Sequence, residues 1–167
     1  MCGRYAFYGP ISRCRDQFGV PDDGFDFAPR YNIAPNQVVP VVCSDTAGNR
    51  SFTMVQWGLI PAWVKDVENV PKPINAKAET AAIKPMLRQA FRKCRVLVPA
   101  NAFYEWKLVA GKKTPYLIHM RDSELFSMGG LLEHWQGPDG LVATFTILTT
   151  TPNVLMAEIH DRMPVII

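Results

Sequence analysis

The sequence predicts a single strand-rich α+β domain, a pattern compatible with curved or barrel-like sheets but not sufficient to require them. Three observations lead there. The chain has 167 residues, which is the size of one domain. It is 48% hydrophobic and 20% charged, so it can bury a core and is not a disordered polyelectrolyte. Its 14 prolines punctuate many short apolar runs, which leaves little room for long helices.

The elements follow in chain order. Residues 1–8 predict a short strand in which Tyr5 and Phe7 alternate with Arg4 and Ala6. The stretch from Asp22 to Pro35 is turn-rich and predicts irregular structure. Val38–Cys43 and Ser51–Ile60 predict two strands joined by a turn at Thr46–Asn49, the second stopped by Pro61. Lys65–Ile74 predicts an exposed loop. Glu79–Lys93 is the best helix candidate, with Ala82, Met86, Ala90 and Phe91 toward one side and Pro85 placed to start its main part. Arg95–Val98 predicts a strand. Phe103–Val109 and Pro115–Met120 predict a hairpin around Ala110-Gly111-Lys112-Lys113. Leu125–Leu132 and Leu141–Thr149 predict further strands, turned at Gly137-Pro138-Asp139-Gly140. Asn153–Glu158 predicts a short helix capped by Thr151 or Asn153.

Composition also excludes function classes. No run approaches twenty apolar residues, so a membrane span is not expected. The N-terminus lacks a signal-peptide core, which argues for a cytoplasmic protein. Cys2, Cys14, Cys43 and Cys94 have no CxxC spacing, and no metal constellation arises from them with His119, His134 and His160. No metal and no cofactor are therefore expected. Charge is uneven: residues 65–113 hold eleven Lys or Arg against four Asp or Glu, whereas residues 119–167 hold two against six. A central basic block suits a polyanionic partner as well as it suits a solvated face.

Cys2 is the most informative position. A small residue after the initiator permits removal of Met1, and the mature chain then starts with a cysteine. That residue carries an amine and a thiol on adjacent carbons, both partly deprotonated near neutrality. Arg4 is expected to favour the thiolate. An aldehyde condenses with such an amine, and the thiol then closes a five-membered thiazolidine.

Three further motifs stand with it. They are Asn75-Ala76-Lys77-Ala78-Glu79-Thr80, the run Val98-Pro99-Ala100-Asn101-Ala102-Phe103-Tyr104-Glu105-Trp106-Lys107, and Ile159-His160-Asp161-Arg162-Met163-Pro164. With Cys2, these stretches resemble the SRAP (SOS response-associated peptidase) family, whose members process abasic sites. The resemblance runs from Met1 through Pro164.

The resemblance implies a mixed domain with curved sheets around a basic cleft. It also implies a thiazolidine crosslink between Cys2 and the opened sugar of an abasic site in single-stranded DNA, which extends to junctions with duplex. Asn75 matches the residue that positions cysteine and sugar. Glu105 matches the carboxylate that moves protons during imine formation. His160 matches the histidine that acts on the opened sugar and in crosslink reversal. Arg4, Lys77 and Arg162 are the cations nearest these motifs and are expected to contact phosphates. Trp57, Trp63 and Trp106 are expected to stack on bases or wedge at a duplex boundary. No obligate protein partner is expected.

This sequence departs from the family at three points. Lys77 stands where arginine is usual and loses the planar fork for phosphate. Ala102 stands where glycine is common. Family domains also continue beyond the position of Ile167, so residues 1–167 are expected to be a domain truncated at its C-terminus. Two other readings use the same residues. Cys2 can serve an N-terminal cysteine hydrolase or self-processing peptidase, with its own amine as base. Alternatively, the chain is a noncovalent single-stranded DNA-binding module in which Cys2 is structural.

Overall fold

Consecutive strands in this chain run from one sheet into another. That continuity defines the architecture in the computed structural model, which describes residues 2–122 and 124–167. A small open sheet has the order β2-β1-β7-β8 and is antiparallel at every pairing. Its strands are β1 (Arg4–Phe7), β2 (Arg30–Ile33), β7 (Ala102–Val109) and β8 (Lys112–His119).

The larger sheet closes on itself. Its ring runs through β3 (Val38–Ser44), β4 (Arg50–Trp57), β10 (Gly140–Thr150), β9 (Phe126–Gly137) and β6 (Arg95–Ala100), and returns to β3. The expected barrel-like curvature is therefore a closed five-stranded ring. Closure requires the strands to bend tightly, and β9 provides for this with Gly129-Gly130. A Cβ on Gly130 would sit 3.0 Å from methyl carbons of both Val96 and Val98 and 3.2 Å from the carbonyl of Thr146. Two short strands extend β10 beyond the ring: β5 (Asn75–Lys77), parallel to it, and β11 (Met163–Pro164), antiparallel.

The joint between the sheets is Asn101, between β6 and β7. Its amide oxygen accepts from Tyr8 N at 2.8 Å and Gly9 N at 3.3 Å, and its own N–H donates to Ala6 O at 2.9 Å. The chain can thus turn from ring to small sheet without leaving buried backbone groups unpaired. The core lies between the sheets and within the ring. Tyr5, Phe7, Val39, Val55, Phe103, Met128, Phe145 and Ile147 are all buried there.

Helices are short. α1 (Ile11–Phe18) buries Cys14 and Phe18 and ends at Gly19, whose φ of 63° is the left-handed conformation of a helix C-terminus. The expected helix over Glu79–Lys93 is broken. It becomes α2 (Ala78–Ala81) and α3 (Arg88–Lys93), separated by a segment around Pro85. Proline restricts the residue before it and supplies no N–H, so one continuous helix cannot form there. α4 (Val154–Ala157) forms as expected, and its cap is Asn153, whose Oδ1 accepts from Met156 N at 2.9 Å.

The β7–β8 hairpin turns on Ala110-Gly111 alone. Both residues have positive φ, 48° and 78°, so Lys112 and Lys113 belong to the strand. Likewise β2 occupies part of the segment expected to be irregular. No helix among the described residues is long and apolar enough to cross a membrane.

Candidate functional site

β1 begins two residues after Cys2, which places that cysteine at the seam between the sheets. Cys2 is fully buried, and its thiol lies 3.7 Å from Arg4 O. Asn75, the first residue of β5, reaches it from the ring side. The Asn75 amide donates to Cys2 O at 2.8 Å across 73 residues of sequence. The other amide atom, Asn75 Oδ1, is buried and has no hydrogen-bond partner among the described residues. The parallel pairing of Asn75 with Ile147 on β10 fixes where this amide points.

Glu105 comes from the small sheet. Strand alternation puts Phe103 and Glu105 on the inner face and Tyr104 and Trp106 on the outer one. Glu105 is accordingly only 3% exposed. Burial, and then the negative charge of Glu105, push the Cys2 thiol up to about 12, while a backbone hydrogen bond at Arg4 pulls weakly the other way. This corrects the expectation that Arg4 would favour the thiolate. Desolvation outweighs a nearby cation whose side chain points outward to donate to Asn32 Oδ1 at 3.3 Å. The thiol is therefore held protonated at neutral pH.

His160 approaches from the end of α4, where its N–H bonds to Met156 O at 2.8 Å. It lines an open cleft of about 500 Å³ with Glu105, Trp106 and Lys113. Its Nδ1 lies 3.0 Å from the N–H of Arg162 and 2.7 Å from the Asp161 carboxylate. Those contacts require opposite proton states. Bare Nδ1 accepts from Arg162, and protonated Nδ1 donates to Asp161, so the ring has a partner whether or not it carries that proton.

The expected phosphate contacts divide. Arg4 opens onto a second cleft, of about 610 Å³, shared with Tyr31, Asn32, Tyr104 and Trp106. Lys77 is exposed, two residues along β5 from Asn75. Arg162 is different. Its guanidinium grips Glu79 through two hydrogen bonds of 3.0 and 2.8 Å and also donates to Thr149 O at 2.6 Å. The pairing holds the Glu79 carboxyl at about 2. Arg162 can take a phosphate only by exchanging Glu79 for it. As it stands, it ties the His160 loop to β10 and α2.

The tryptophans also divide. Trp57 is a correction: it is fully buried, its indole N–H donates to Ile74 O at 2.8 Å, and it packs edge-on to Tyr5 with ring centroids 5.5 Å apart. It belongs to the core and cannot stack on a base. Trp63 is 62% exposed beyond Pro61. Trp106 forms a wall of both clefts. Lys113, Tyr31 and Asn32 are residues that the motifs missed. Pairing of β7 with β8 and of β1 with β2 brings them in, and only alternation outward from Trp106 pointed toward that face. Among the described residues, no group of three or more His, Cys, Asp or Glu side chains could hold a metal.

Fold and site together define a strand-rich α+β protein organised around a buried cysteine at its second residue. The family described as SOS response associated peptidase (SRAP) matches residues 1–167, and the chain belongs to that family. Among its relatives is the abasic site processing protein YoqW of Bacillus subtilis, 42% identical over 173 residues that cover 100% of this chain and 76% of that protein. The abasic site processing protein YedK of Escherichia coli is 29% identical over 180 residues, covering 100% of this chain and 75% of its own. A crystal structure of a Bacteroides thetaiotaomicron protein superposes with a TM-score of 0.88 at 27% identity, covering 99% of this chain and 77% of the other.

Proposed function

We propose that this chain processes abasic sites by covalent capture, with Cys2 attaching to the opened sugar in single-stranded DNA. The observation that carries this reading is the convergence on Cys2. The amide of Asn75 binds its carbonyl at 2.8 Å, and the Glu105 charge acts on its thiol. Relatives called abasic site processing proteins, 40–42% identical along the whole chain, support it.

Once Met1 is removed, the ionised Glu105 takes a proton from the Cys2 ammonium, and the freed amine attacks the C1′ aldehyde and forms a carbinolamine. Glu105, as the acid, protonates the departing hydroxyl, which leaves as water. It then recovers a proton from the iminium nitrogen. The Cys2 thiol adds across the C=N bond, sulfur to carbon and proton to nitrogen, and the thiazolidine closes. One water is released overall. A thiol that stays protonated suits this order, because the amine must react first and the S–H proton is needed at the last step. His160 supplies and withdraws the proton at the sugar oxygen as the ring opens, and its two alternative Nδ1 partners fit that exchange. The unpartnered Asn75 Oδ1 is an acceptor for the amine or a sugar hydroxyl.

Arg4 and Lys77 are proposed as phosphate contacts, and Trp63 as a stacking or wedging residue at a junction. DNA association follows from these roles. The test is direct. Mature protein is mixed with single-stranded DNA carrying one abasic site, and the products are resolved by denaturing gel and intact mass. A band heavier by the DNA less one water is expected for wild type and absent for Cys2→Ala and for undamaged DNA. Equal crosslinking by Cys2→Ala would end the proposal. Binding that vanishes on denaturation would leave a noncovalent module in its place.

A further inference from the structure

We propose that the outer face of the small sheet carries a nucleobase subsite, in which Tyr31 and Trp106 hold an unpaired base next to the captured sugar. This rests on the proposed capture of abasic DNA and adds a determinant that none of the four motifs contains.

The face is built by register. Arg4 on β1 lies directly opposite Tyr104 on β7, so the two side chains share a face, and Trp106 follows two residues on. β2 adds Tyr31 and Asn32. The Tyr31 ring is stacked on Tyr8, with centroids 5.1 Å apart and planes 19° from parallel, and it is still 64% exposed. Its backbone is held too: Tyr104 Oη donates to Tyr31 O at 2.8 Å. A large aromatic ring braced on both counts and left open to solvent is a preformed stacking surface.

The chemistry of the cleft fits a nucleotide. Among the described residues that line it, Arg4 is the cation and none is a carboxylate. Asn32 offers an amide to a base edge, while its oxygen, at 3.3 Å, orients the Arg4 guanidinium. Aromatic rings beside a cation on a sheet face are the means by which single strands are bound without sequence preference. Continuity places this cleft next to the chemistry. Trp106 walls both this cleft and the one holding Glu105 and His160, and Gly3, the neighbour of Cys2, lines this one. A strand whose baseless sugar enters at Glu105 therefore passes Trp106 and sets its next base on Tyr31.

The experiment uses two strands with one abasic site each. In one, the flanking nucleotides carry thymine. In the other, they are unreactive baseless spacers. Half-saturating concentrations for crosslinking are compared for wild type, Tyr31→Ala and Tyr31→Phe. Wild type is expected to prefer the base-bearing strand by about tenfold, the usual order for loss of one stacked base. Tyr31→Ala should lose most of that preference, and Tyr31→Phe, which keeps the ring, should retain it. An unchanged preference in Tyr31→Ala, or none in wild type, overturns the subsite.

Fluorescence anisotropy on undamaged thymidine strands, with Cys2→Ala as the parent, reads the same preference without covalent chemistry. If no crosslink forms but Tyr31 still governs anisotropy, capture fails and the subsite stands. If crosslinking depends on Cys2 but Tyr31 moves neither measurement, the reverse holds.

Discussion

The two faces of β7 belong to the same eight residues and do opposite work. Inward, Phe103 and Glu105 are 2% and 3% exposed and face the seam where Cys2 is buried. Outward, Tyr104 and Trp106 face clefts that reach solvent, beside Arg4. Glu105 also borders the cleft it shares with His160, but at 3% exposure its carboxylate is little screened from the neighbouring thiol. The same charge on the wet face would do little and would repel phosphate. The strand period of two residues thus sets buried side chains beside Cys2 on one face and half-buried aromatics beside Arg4 on the other, and the proposed function assigns bond making to the first and recognition to the second.

That separation predicts that inner and outer substitutions fail differently. The largest expected effect is from Glu105→Gln. It should slow single-turnover crosslinking by roughly 10²–10⁴-fold, the usual contribution of a positioned acid, while DNA affinity by anisotropy stays within about twofold. A loss of affinity matching the loss of rate would mean that the faces are not separable.

Trp57→Ala comes next, and it should act on stability alone. Removing a large buried aromatic typically costs about 3–5 kcal/mol. The urea midpoint should fall with little change in slope. If Trp57→Ala instead lowered DNA binding in fully folded protein, the core assignment would be wrong.

Alkaline pH probes the dry compartment more gently. Burial raises the Cys2 thiol from an ordinary 9.0 to about 12, and Cys14 is raised to about 12 as well. For a group raised on folding, stabilisation is complete below the unfolded value and is lost as pH climbs through the folded one. The urea midpoint should therefore decline between pH 9.0 and about 12. Cys2→Ala should keep the part of the decline due to other buried groups such as Cys14. A flat profile would show that the thiols are hydrated in the folded chain.

The smallest effect is expected from Lys77→Ala. It should weaken DNA binding mostly at low salt and lower the slope of log affinity against log salt by about one. The crosslinking rate at saturating DNA should hold. An unchanged slope would remove Lys77 from the phosphate path.

Much of the fold was legible because its signals are local. The strands carry period-two patterns, Ala110-Gly111 supplies a hairpin turn, and Asn153 caps α4 from its own side chain. α1 is not among the expected elements, although Ile11, Cys14 and Phe18 keep helical spacing and Gly19 closes it. Eight residues following Pro10 give too short a pattern to stand out. The helix expected over Glu79–Lys93 is too long because Pro85, expected to start its main part, instead lies in the gap between α2, which stops at Ala81, and α3, which starts at Arg88.

The site divides in the same way. Its reactive residue types were visible as motifs. What joins them was not, because the Asn75–Cys2 hydrogen bond and the Arg162–Glu79 grip span 73 and 83 residues. Trp57 shows the limit from the other side. A tryptophan in an alternating strand looks the same whether its face meets a core or a ligand, and only the partner sheet decides.

Asn101 and Asn75 have a joint consequence. One holds the backbone at Tyr8 and Gly9, the other the carbonyl of Cys2, so the first strand is pinned at both ends. Most chain ends fray, but this one is a ruler with six steps between its clamps. An extra residue inserted among residues 3–7 has nowhere to go: it must bulge, or it must turn Cys2 to the opposite side of the sheet. The spacing between the two clamps thus decides which side of the sheet Cys2 meets.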